Sequence, residues 1–409
     1  KKMTNIAVLG YGTVGSGVVE VINTNGSRIN EHAGDEINVK YVLDLRDFPG
    51  DPVESILVHD YNTILEDDTV SVVVEVMGGV EPAYTFVKQA LQKGKSVATS
   101  NKELVAKHGA ELIAIAKSYD VNFLFEASVG GGIPIIRPLI NSLTADKITE
   151  ITGILNGTTN YILTKMDREG AAFEDVLKNA QDLGYAERNP EADVEGFDAC
   201  RKIAILTSLA FGKQVDYEDI YTEGITKITD IDFKYAKAMK GSIKLLGTSK
   251  LIDGTVYSMV APVIISDKHP LNGVHDVFNG IFIHGNVIDD VMFYGRGAGK
   301  LPTASAVVSD VVDAVKHKGT SVKIGWSMEK LELGKIEDAK HKYFVRVKDE
   351  DIDDIDMLQI KELFGNVLYV KADGVENESA FITEAIAEGE FAENINKVAN
   401  VKSIIRVEM

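Results

Sequence analysis

The chain reads Ile6-Ala7-Val8-Leu9-Gly10-Tyr11-Gly12-Thr13-Val14-Gly15 where its first predicted strand ends and its first predicted helix begins. The three glycines permit a tight turn and a close approach of the backbone to a pyrophosphate, whose charge suits a helix N-terminus. Alone, this pattern also fits a glycine-rich packing turn. With a strand before it and a helix after it, the pattern indicates a dinucleotide site formed by Gly10, Tyr11, Gly12, Thr13, Val14 and Gly15.

Strand-like and helix-like segments alternate after this turn. Apolar runs predict strands at residues 6–9, 39–43, 70–77, 96–99 and 121–126, and helical spacing predicts helices at 16–22, 82–93 and 103–119. This alternation predicts an α/β fold, a Rossmann-type doubly wound parallel sheet with helices on both faces. We expect this domain to span 1–127 and to be completed by a returning helix within about 300–330.

The pattern changes after the glycine run Ser128-Val129-Gly130-Gly131-Gly132-Ile133-Pro134. Strand-like runs and long helices then mix without strict alternation, which predicts a second, mixed α+β domain over 128–299. Residues 330–340 are charged and contain a glycine, as a linker would. The last segment, 341–409, has a βαββαβ order, which is typical of a ferredoxin-like module.

Composition limits the possible functions. A chain of 409 residues is long enough for two or three domains with separate cores. The net charge of −19 argues against a nucleic-acid partner or a membrane surface, because both require clustered lysine and arginine. No uncharged run reaches the length of a membrane helix. The single cysteine, Cys200, fits a reducing compartment, so we expect a cytoplasmic protein in which Cys200 faces the core.

A segment rich in charge lies at residues 180–202. It brings Glu187, Asp193, Asp198 and Lys202 into one turn and helix start, directly before the uncharged run 203–211. We therefore expect Lys202 at the edge of an apolar core, where its proton affinity can be tuned. A solvated loop followed by a core helix, with an ordinary helix salt bridge between Asp198 and Lys202, is the alternative.

Further candidates follow the predicted strands. Asp44 suits a ribose hydroxyl pair, as in NAD sites, and Arg46 suits the 2′-phosphate of NADP. Ser100 and Lys102 follow the strand at 96–99, where ligands of open parallel sheets bind. Glu126 precedes the glycine run, whose carbonyl oxygens suit a hard cation, although a hinge explains the run as well. Gly157 and Thr158 lie in a polar turn, Asn156 to Asn160, which suits an anion or an N-cap.

Together these motifs resemble homoserine dehydrogenase. The resemblance rests on residues 10–15, 73–79, 100–102, 126–134 and 153–161, and above all on 180–202, which matches the family's signature throughout. It covers the chain to about residue 330, and the last seventy residues resemble an ACT domain, a small ferredoxin-like module that often binds amino acids. The resemblance implies a reversible reduction of L-aspartate 4-semialdehyde to L-homoserine by NAD(P)H, on the way to threonine, methionine and isoleucine.

The resemblance also implies roles for individual residues. Lys202 corresponds to the proposed proton donor and Lys102 to a second essential lysine, which also lies at the coenzyme. The residues implied to bind substrate are Glu187, Asp198, Asp193, Thr158 and Gly157. Gly297 lies in a later glycine-rich turn over the coenzyme. Glu126, Val129, Gly131 and Ile133 match a sodium site of some members, mostly through backbone oxygens.

The family usually shows only the basic residue where this chain has both Asp44 and Arg46, so the coenzyme preference is open; we expect NADP(H), with NAD(H) also usable. The middle domain is expected to form a homodimer or homotetramer. The ACT-like module suggests feedback by threonine or another pathway amino acid, and the alternative is a dimerisation or stabilising module without a ligand.

Two alternative functions are another two-domain NAD(P)-dependent amino-acid dehydrogenase or semialdehyde reductase, and a nucleotide-sensing regulator without catalysis. The regulator would have no need of the cluster Lys202, Asp198 and Glu187, and it would usually carry a DNA-binding element, for which the sequence shows no basic helix.

Overall fold

The computed structural model describes residues 2–348 and 354–409, and for residues 354–356 the backbone alone. The chain forms two compact units. Unit 1 contains Lys1–Lys147, Ala204–Tyr217 and Gly295–Leu331, and unit 2 contains Ile148–Ile203, Glu218–Tyr294 and Glu332–Met409.

The described strands, in chain order, are β1 (Met3–Leu9), β2 (Glu36–Leu43), β3 (Leu57–Val58), β4 (Val70–Glu75), β5 (Ser96–Thr99), β6 (Phe123–Leu124), β7 (Ile148–Ile154), β8 (Lys213–Gln214), β9 (Tyr221–Thr222), β10 (Gly241–Ile252), β11 (Thr255–Ser266), β12 (Phe278–Gly285), β13 (Asp289–Arg296), β14 (Ser327–Lys330), β15 (Lys340–Lys348), β16 (Val367–Val370), β17 (Glu378–Thr383), β18 (Ile386–Ala387) and β19 (Val401–Glu408).

The described α-helices are α1 (Thr13–Ala33), α2 (Tyr61–Leu65), α3 (Ala83–Gln92), α4 (Lys102–Ser118), α5 (Gly157–Glu169), α6 (Phe173–Asp182), α7 (Glu191–Val194), α8 (Phe197–Phe211), α9 (Asp230–Ala238), α10 (Lys300–Lys316), α11 (Asp354–Phe364) and α12 (Glu388–Ile395). Within the described residues, every helix falls short of the length and apolar character needed to cross a bilayer.

Unit 1 is built on a six-stranded parallel sheet of order β3-β2-β1-β4-β5-β6. The first strand lies in the centre, and the chain winds outward from it in both directions, which confirms the predicted doubly wound fold. The register places Leu9 beside Leu43 and Glu75, and Glu75 beside Thr99. Because these residues end their strands in one row, the segments that follow them share the carboxyl edge of the sheet.

The core of unit 1 joins distant parts of the chain. Val18 and Ile22 of α1 pack with Ala304, Val307 and Val311 of α10 in one apolar cluster with the sheet. The helix predicted within 300–330 therefore belongs to the core of the first sheet.

Unit 2 contains one long mixed sheet of order β13-β12-β7-β10-β11-β19-β15-β17-β16. The last four strands of this path show the order of a ferredoxin-like βαββαβ module, as predicted. The module is not a separate sheet: β19 runs parallel to β11, with Val263 beside Arg406 and Ile265 beside Glu408. The C-terminal stretch therefore extends the sheet that carries β7 and β10.

Candidate active site

The glycine turn of unit 1 is shaped for a phosphate group. Gly10 has a φ of +97°, and a Cβ on Gly15 would lie 1.9 Å from the Gly10 carbonyl oxygen, so both positions require glycine. Gly12 is the N-cap of α1 and makes no side-chain cap bond, and a Cβ there would meet no atom within 4 Å. The first N–H groups of α1 have no partner within the helix and no side-chain cap, which suits an anion.

Asp44 and Arg46 lie beside this turn and bind each other. Asp44 accepts the Tyr11 backbone N–H at 2.8 Å, and Arg46 donates from Nε and Nη2 to its two carboxylate oxygens at 2.9 Å. The Arg46 side chain is 63% exposed, whereas that of Asp44 is 10% exposed. Hydrogen bonds from Arg46 hold the pKa of Asp44 well below its usual range. The two residues that bear on coenzyme choice thus form one hydrogen-bonded pair.

Ser100 and Lys102 lie at the same edge of the sheet. Ser100 follows β5, and its N–H donates to the Glu75 carbonyl, while Lys102 is the first residue of α4. Between them, Asn101 caps α4 by accepting the Leu104 N–H, and donates to the Gly79 carbonyl at 2.6 Å. These bonds fix the loop after β4 against the loop after β5.

Glu75 is the last residue of β4 and lies at the same edge of the sheet. It is fully buried and accepts hydrogen bonds from the Met77 N–H at 2.8 Å and the Thr99 hydroxyl at 2.7 Å. Burial raises the pKa of Glu75. The sequence analysis did not identify Glu75, although an isolated carboxylate at the end of an apolar strand could have indicated it.

Glu126 supports the glycine run as a buried anchor. Its carboxylate accepts three backbone N–H groups, from Ile135 at 2.6 Å, Ile136 at 2.8 Å and Arg137 at 2.7 Å. Its own N–H donates to Asp310 at 2.8 Å. Since the side chain is occupied, a cation at Glu126, Val129, Gly131 and Ile133 would have to be held by backbone oxygens.

Gly297 packs directly on this run. A Cβ on Gly131, which has a φ of +55°, would lie 2.3 Å from the Gly297 carbonyl oxygen, and the Gly132 N–H donates to the Arg296 carbonyl at 3.1 Å. Unit 1 therefore brings two glycine segments, distant in sequence, into backbone contact.

Arg137 and Asp310 form an ion pair that contacts the backbone of Glu126. Arg137 pairs with the buried Asp310 and with Asp313, the latter at 2.6 Å. Burial raises the pKa of Asp310 to about 7, against the opposing effect of Arg137. Sequence reasoning missed both residues, because nothing local links positions 137 and 310.

In unit 2, Lys202 forms the centre of what we call the Lys202 network: Lys202, Asp198, Asn156 and Asp193. Lys202 is 9% exposed, and its Nζ donates to Asp198 at 2.7 Å and to the Leu155 carbonyl at 2.9 Å. An ammonium group has three N–H donors, and these two contacts leave one for a ligand. A buried ammonium with one donor unused is suited to an oxygen that gains negative charge.

Asn156 completes the network. Its Nδ2 donates to Asp193 at 2.8 Å and to Asp198 at 2.9 Å, while its Oδ1 accepts the Thr159 N–H as the N-cap of α5. One amide thus holds two carboxylates and starts a helix. The sequence indicated only the cap, because the contacts to Asp193 and Asp198 span about forty residues.

Gly157 and Thr158 open α5 beside this network. A Cβ on Gly157 would lie 2.8 Å from the Val277 carbonyl oxygen, and the Thr158 hydroxyl donates to the Tyr185 carbonyl at 2.6 Å. Glu187 lies in the loop after α6 and is exposed, with its backbone carbonyl accepting from Gln181 at 3.0 Å. Cys200 is buried, and burial raises its pKa, so it belongs to the core.

Comparison with known proteins agrees with this chemistry. Residues 134–312 match the family model described as Homoserine dehydrogenase, and residues 10–126 match that of its NAD binding domain. A homoserine dehydrogenase of Bacillus subtilis is 43% identical over 320 residues, which are 77% of this chain and 74% of the relative.

Solved structures give the same result. A homoserine dehydrogenase from Thiobacillus denitrificans superposes with a TM-score of 0.90 at 33% identity, covering 100% of this chain and 98% of that chain. A mutant hyperthermophilic archaeal homoserine dehydrogenase in complex with NADPH superposes with a TM-score of 0.65 at 30% identity, covering 76% of this chain and 97% of that chain.

Proposed function

The chain belongs to the homoserine dehydrogenase family and is an NAD(P)-dependent oxidoreductase with that activity. We propose that Lys202 is its proton donor. When bound, the reduced coenzyme supplies the hydride that the aldehyde carbon accepts. The Lys202 ammonium then stabilises the negative charge on the aldehyde oxygen with its remaining N–H and transfers that proton. The supporting observation is the geometry at Nζ, where Asp198 and the Leu155 carbonyl take two donors and leave one.

Asp198 and Asn156 position this ammonium. Asp198 keeps the charge of Lys202 compensated in a buried setting, and Asn156 fixes the Asp198 carboxylate. Homoserine would bind with its carboxylate at the N-terminal N–H groups of Gly157 and Thr158, which have no partner within α5. Glu187 and Asp193 would take its ammonium group.

Lys102 is the second catalytic lysine in this proposal. As the first residue of α4, at the carboxyl edge of the parallel sheet, it lies where ligands of this fold class bind. It would contact the coenzyme together with Ser100, and orient the substrate for hydride transfer.

NADP(H) is the preferred coenzyme in this proposal, with NAD(H) accepted. The turn at Gly10 to Gly15 fits a pyrophosphate, and the exposed Arg46 guanidinium is suited to a 2′-phosphate. Asp44 holds Arg46 in position through two hydrogen bonds. The same carboxylate would hold a ribose hydroxyl when the phosphate is absent, and the site would then accept NAD(H) as well.

A sodium ion at Glu126, Val129, Gly131 and Ile133 remains part of the proposal through backbone carbonyl oxygens alone. Its role would be to brace the glycine run under Gly297, and activity measured in sodium and in potassium would test it. Equal rates and equal thermal stability in the two salts would exclude a specific site.

Assembly into a homodimer or homotetramer is proposed through unit 2. β13 is an edge strand of its sheet, and it exposes Met292 and Tyr294, while the preceding turn exposes Val287. Exposed apolar side chains on an edge strand are commonly covered by a partner. Analytical ultracentrifugation of Val287→Asp beside the unaltered protein tests this surface; an unchanged mass would place the interface elsewhere.

The C-terminal stretch 341–409 is proposed to be an ACT domain that binds an amino-acid effector. Its β19 pairs with β11 in the sheet that also contains β7, the strand directly before the turn at 156–160. A ligand-induced change in this stretch would act on the substrate site through that sheet. Initial rates of homoserine oxidation with NADP and then NAD, measured with and without added threonine, test the coenzyme preference and the effector together. Equal rates with both coenzymes would contradict the NADP preference, and rates insensitive to threonine would contradict the effector.

A further inference from the structure

Glu75 ends β4 at the carboxyl edge of the unit 1 sheet, and both of its carboxylate oxygens accept hydrogen bonds. Oε1 accepts the Met77 N–H at 2.8 Å, and Oε2 accepts the Thr99 hydroxyl at 2.7 Å. Met77 lies in the loop after β4, and Thr99 is the last residue of β5. One carboxylate therefore joins two neighbouring segments at the edge where ligands of open parallel sheets bind.

A chain of hydrogen bonds continues from Thr99 to the start of α4. The Asn101 N–H donates to the Thr99 hydroxyl oxygen at 3.0 Å. The Asn101 side chain then accepts the Leu104 N–H at 3.1 Å as the N-cap of the helix, and Lys102 is the first residue of that helix. Because the N-cap fixes the start of a helix, the bond between Asn101 and Thr99 also fixes the backbone that carries Lys102.

This link is buried along its length. Glu75 and Thr99 are 0% exposed, and Asn101 is 5% exposed. A buried carboxylate is unfavourable unless hydrogen bonds replace those it made to water, and here donors from two segments supply them. Packing alone does not require a charged group at this position, since the buried valines at 72–74 fill the same strand with apolar side chains.

The Met77 side of the link reaches the glycine turn. A Cβ on Gly10 would lie 3.2 Å from the Met77 Cγ and 3.3 Å from the Val76 carbonyl oxygen. The loop that Glu75 holds on one side is therefore packed against the turn that fits a pyrophosphate. The segment that it holds on the other side leads directly to Lys102.

We propose that Glu75 is a positioning residue for Lys102, an inference that rests on the catalytic role proposed above for that lysine. Glu75 is fully buried, so it acts through the Thr99 hydroxyl and the Asn101 N–H. By holding the loop after β4 against the start of α4, the carboxylate sets the position of Lys102 relative to the glycine turn. Catalysis is sensitive to such placement, since a displacement of about 1 Å can lower a rate about a hundredfold.

Two substitutions at Thr99 separate this role from packing. Thr99→Val keeps the shape of the side chain and removes the hydroxyl, whereas Thr99→Ser keeps the hydroxyl and loses a methyl group. In the full-length enzyme, Thr99→Val should lower kcat for homoserine oxidation about tenfold to a hundredfold, and Thr99→Ser should stay within about threefold. The dissociation constant of NADPH should change little in either variant, because the bond from Met77 to Glu75 is intact. A role in packing alone predicts the opposite order, with Thr99→Ser the more impaired.

Ser96→Ala is the control at the other end of β5. It removes a buried hydroxyl that accepts the Asn122 N–H at 3.1 Å, so it should lower the free energy of unfolding and leave kcat unchanged. Glu75→Gln tests the carboxylate itself: an amide accepts at one oxygen, and its NH₂ group cannot accept the Thr99 hydroxyl. It should lower kcat in the same direction, and the Thr99 pair decides the question if Glu75→Gln does not fold.

A Lys102→Met background tests whether the link acts through this lysine. Lys102→Met alone should lower kcat, and adding Thr99→Val should lower it further by less than about twofold, because the side chain that the link positions is gone. If Lys102→Met is impaired and Thr99→Val still lowers kcat by its full factor, the role of Lys102 stands and the inference about Glu75 is wrong. Full turnover in Lys102→Met would refute both, and an unchanged kcat in a folded Thr99→Val enzyme would refute the inference alone.

Discussion

Replacing Lys202 by methionine removes the proposed acid while keeping most of the side-chain volume. The rate should fall because the charge on the reacting oxygen loses its only ammonium partner within the Lys202 network. General acid catalysis and electrostatic stabilisation of this kind contribute about 10²- to 10⁴-fold. Coenzyme binding should be preserved, because the glycine turn and Arg46 are untouched.

The same substitution has a cost in stability that can be estimated. Asp198 is 5% exposed and loses the partner that lies 2.7 Å away, although Asn156 still donates to it. Leaving one partner of a buried ion pair uncompensated costs about 3–5 kcal/mol. The double variant Lys202→Met with Asp198→Asn removes this charge, so it should recover most of the unfolding free energy and none of the activity.

Three measurements separate chemistry from folding. They are initial rates of homoserine oxidation, urea unfolding, and NADPH binding followed by its fluorescence. Lys178→Met, on the exposed face of α6, is the matched control and should change none of them. Full turnover in Lys202→Met would refute the assignment, and so would loss of NADPH binding in a folded Lys202→Met protein.

Further substitutions test other parts of the molecule. Arg46→Ala should lower kcat/KM with NADP about tenfold or more while sparing NAD, because the 2′-phosphate loses its cation and meets the Asp44 carboxylate instead. Lys244→Met should raise stability at neutral pH, since burial lowers the pKa of Lys244 from 10.5 to about 8. Between pH 8 and 10.5 the unfolded chain therefore binds more protons than the folded chain, so the free energy of unfolding rises with pH by about 3 kcal/mol at most. The Lys244→Met variant should lose this pH dependence, measured by denaturant titrations. Gly131→Ala should destabilise the fold by about 2 kcal/mol or more, measured by urea unfolding, because its Cβ would lie 2.3 Å from the Gly297 carbonyl oxygen.

Each of these has a control of the same chemistry. Arg28→Ala and Lys268→Met change exposed residues and should leave coenzyme preference and pH dependence as they are. Gly319 has a φ of +77°, but a Cβ added there would meet no atom within 4 Å. Gly319→Ala therefore measures the cost of backbone strain without a steric clash. An unchanged NADP/NAD ratio, a retained alkaline rise in stability, or equal losses at both glycines would contradict the respective reasoning.

The sequence predicted unit 1 well because its signals are local. Apolar runs marked β1, β2, β4 and β5 close to their observed bounds, and the glycine turn lies where a strand gives way to a helix. In a doubly wound sheet the order of strands follows from such alternation and the handedness of the crossovers. The family resemblance agreed with this fold and with the activity.

Unit 2 was predicted less completely because its decisive contacts are non-local. The parallel pairing of β11 with β19 was not anticipated, since the two strands lie more than 130 residues apart. The same limit applies to the site: Lys202 and Asp198 are one helical turn apart and could be predicted, whereas the contacts of Asn156 with Asp193 and of Arg137 with Asp310 could not. Spacing along one helix is visible in a sequence, but contact between segments requires the fold.

The distance between Lys202 Nζ and the hydroxyl oxygen of homoserine, in an experimental structure of the full chain with NADP and homoserine, tests the proton-donor assignment most directly. A distance of about 2.6–3.2 Å, with Asp198 and the Leu155 carbonyl still bound to Nζ, is the predicted result. A homoserine hydroxyl well beyond hydrogen-bond reach of Nζ, with no water between them, would contradict it.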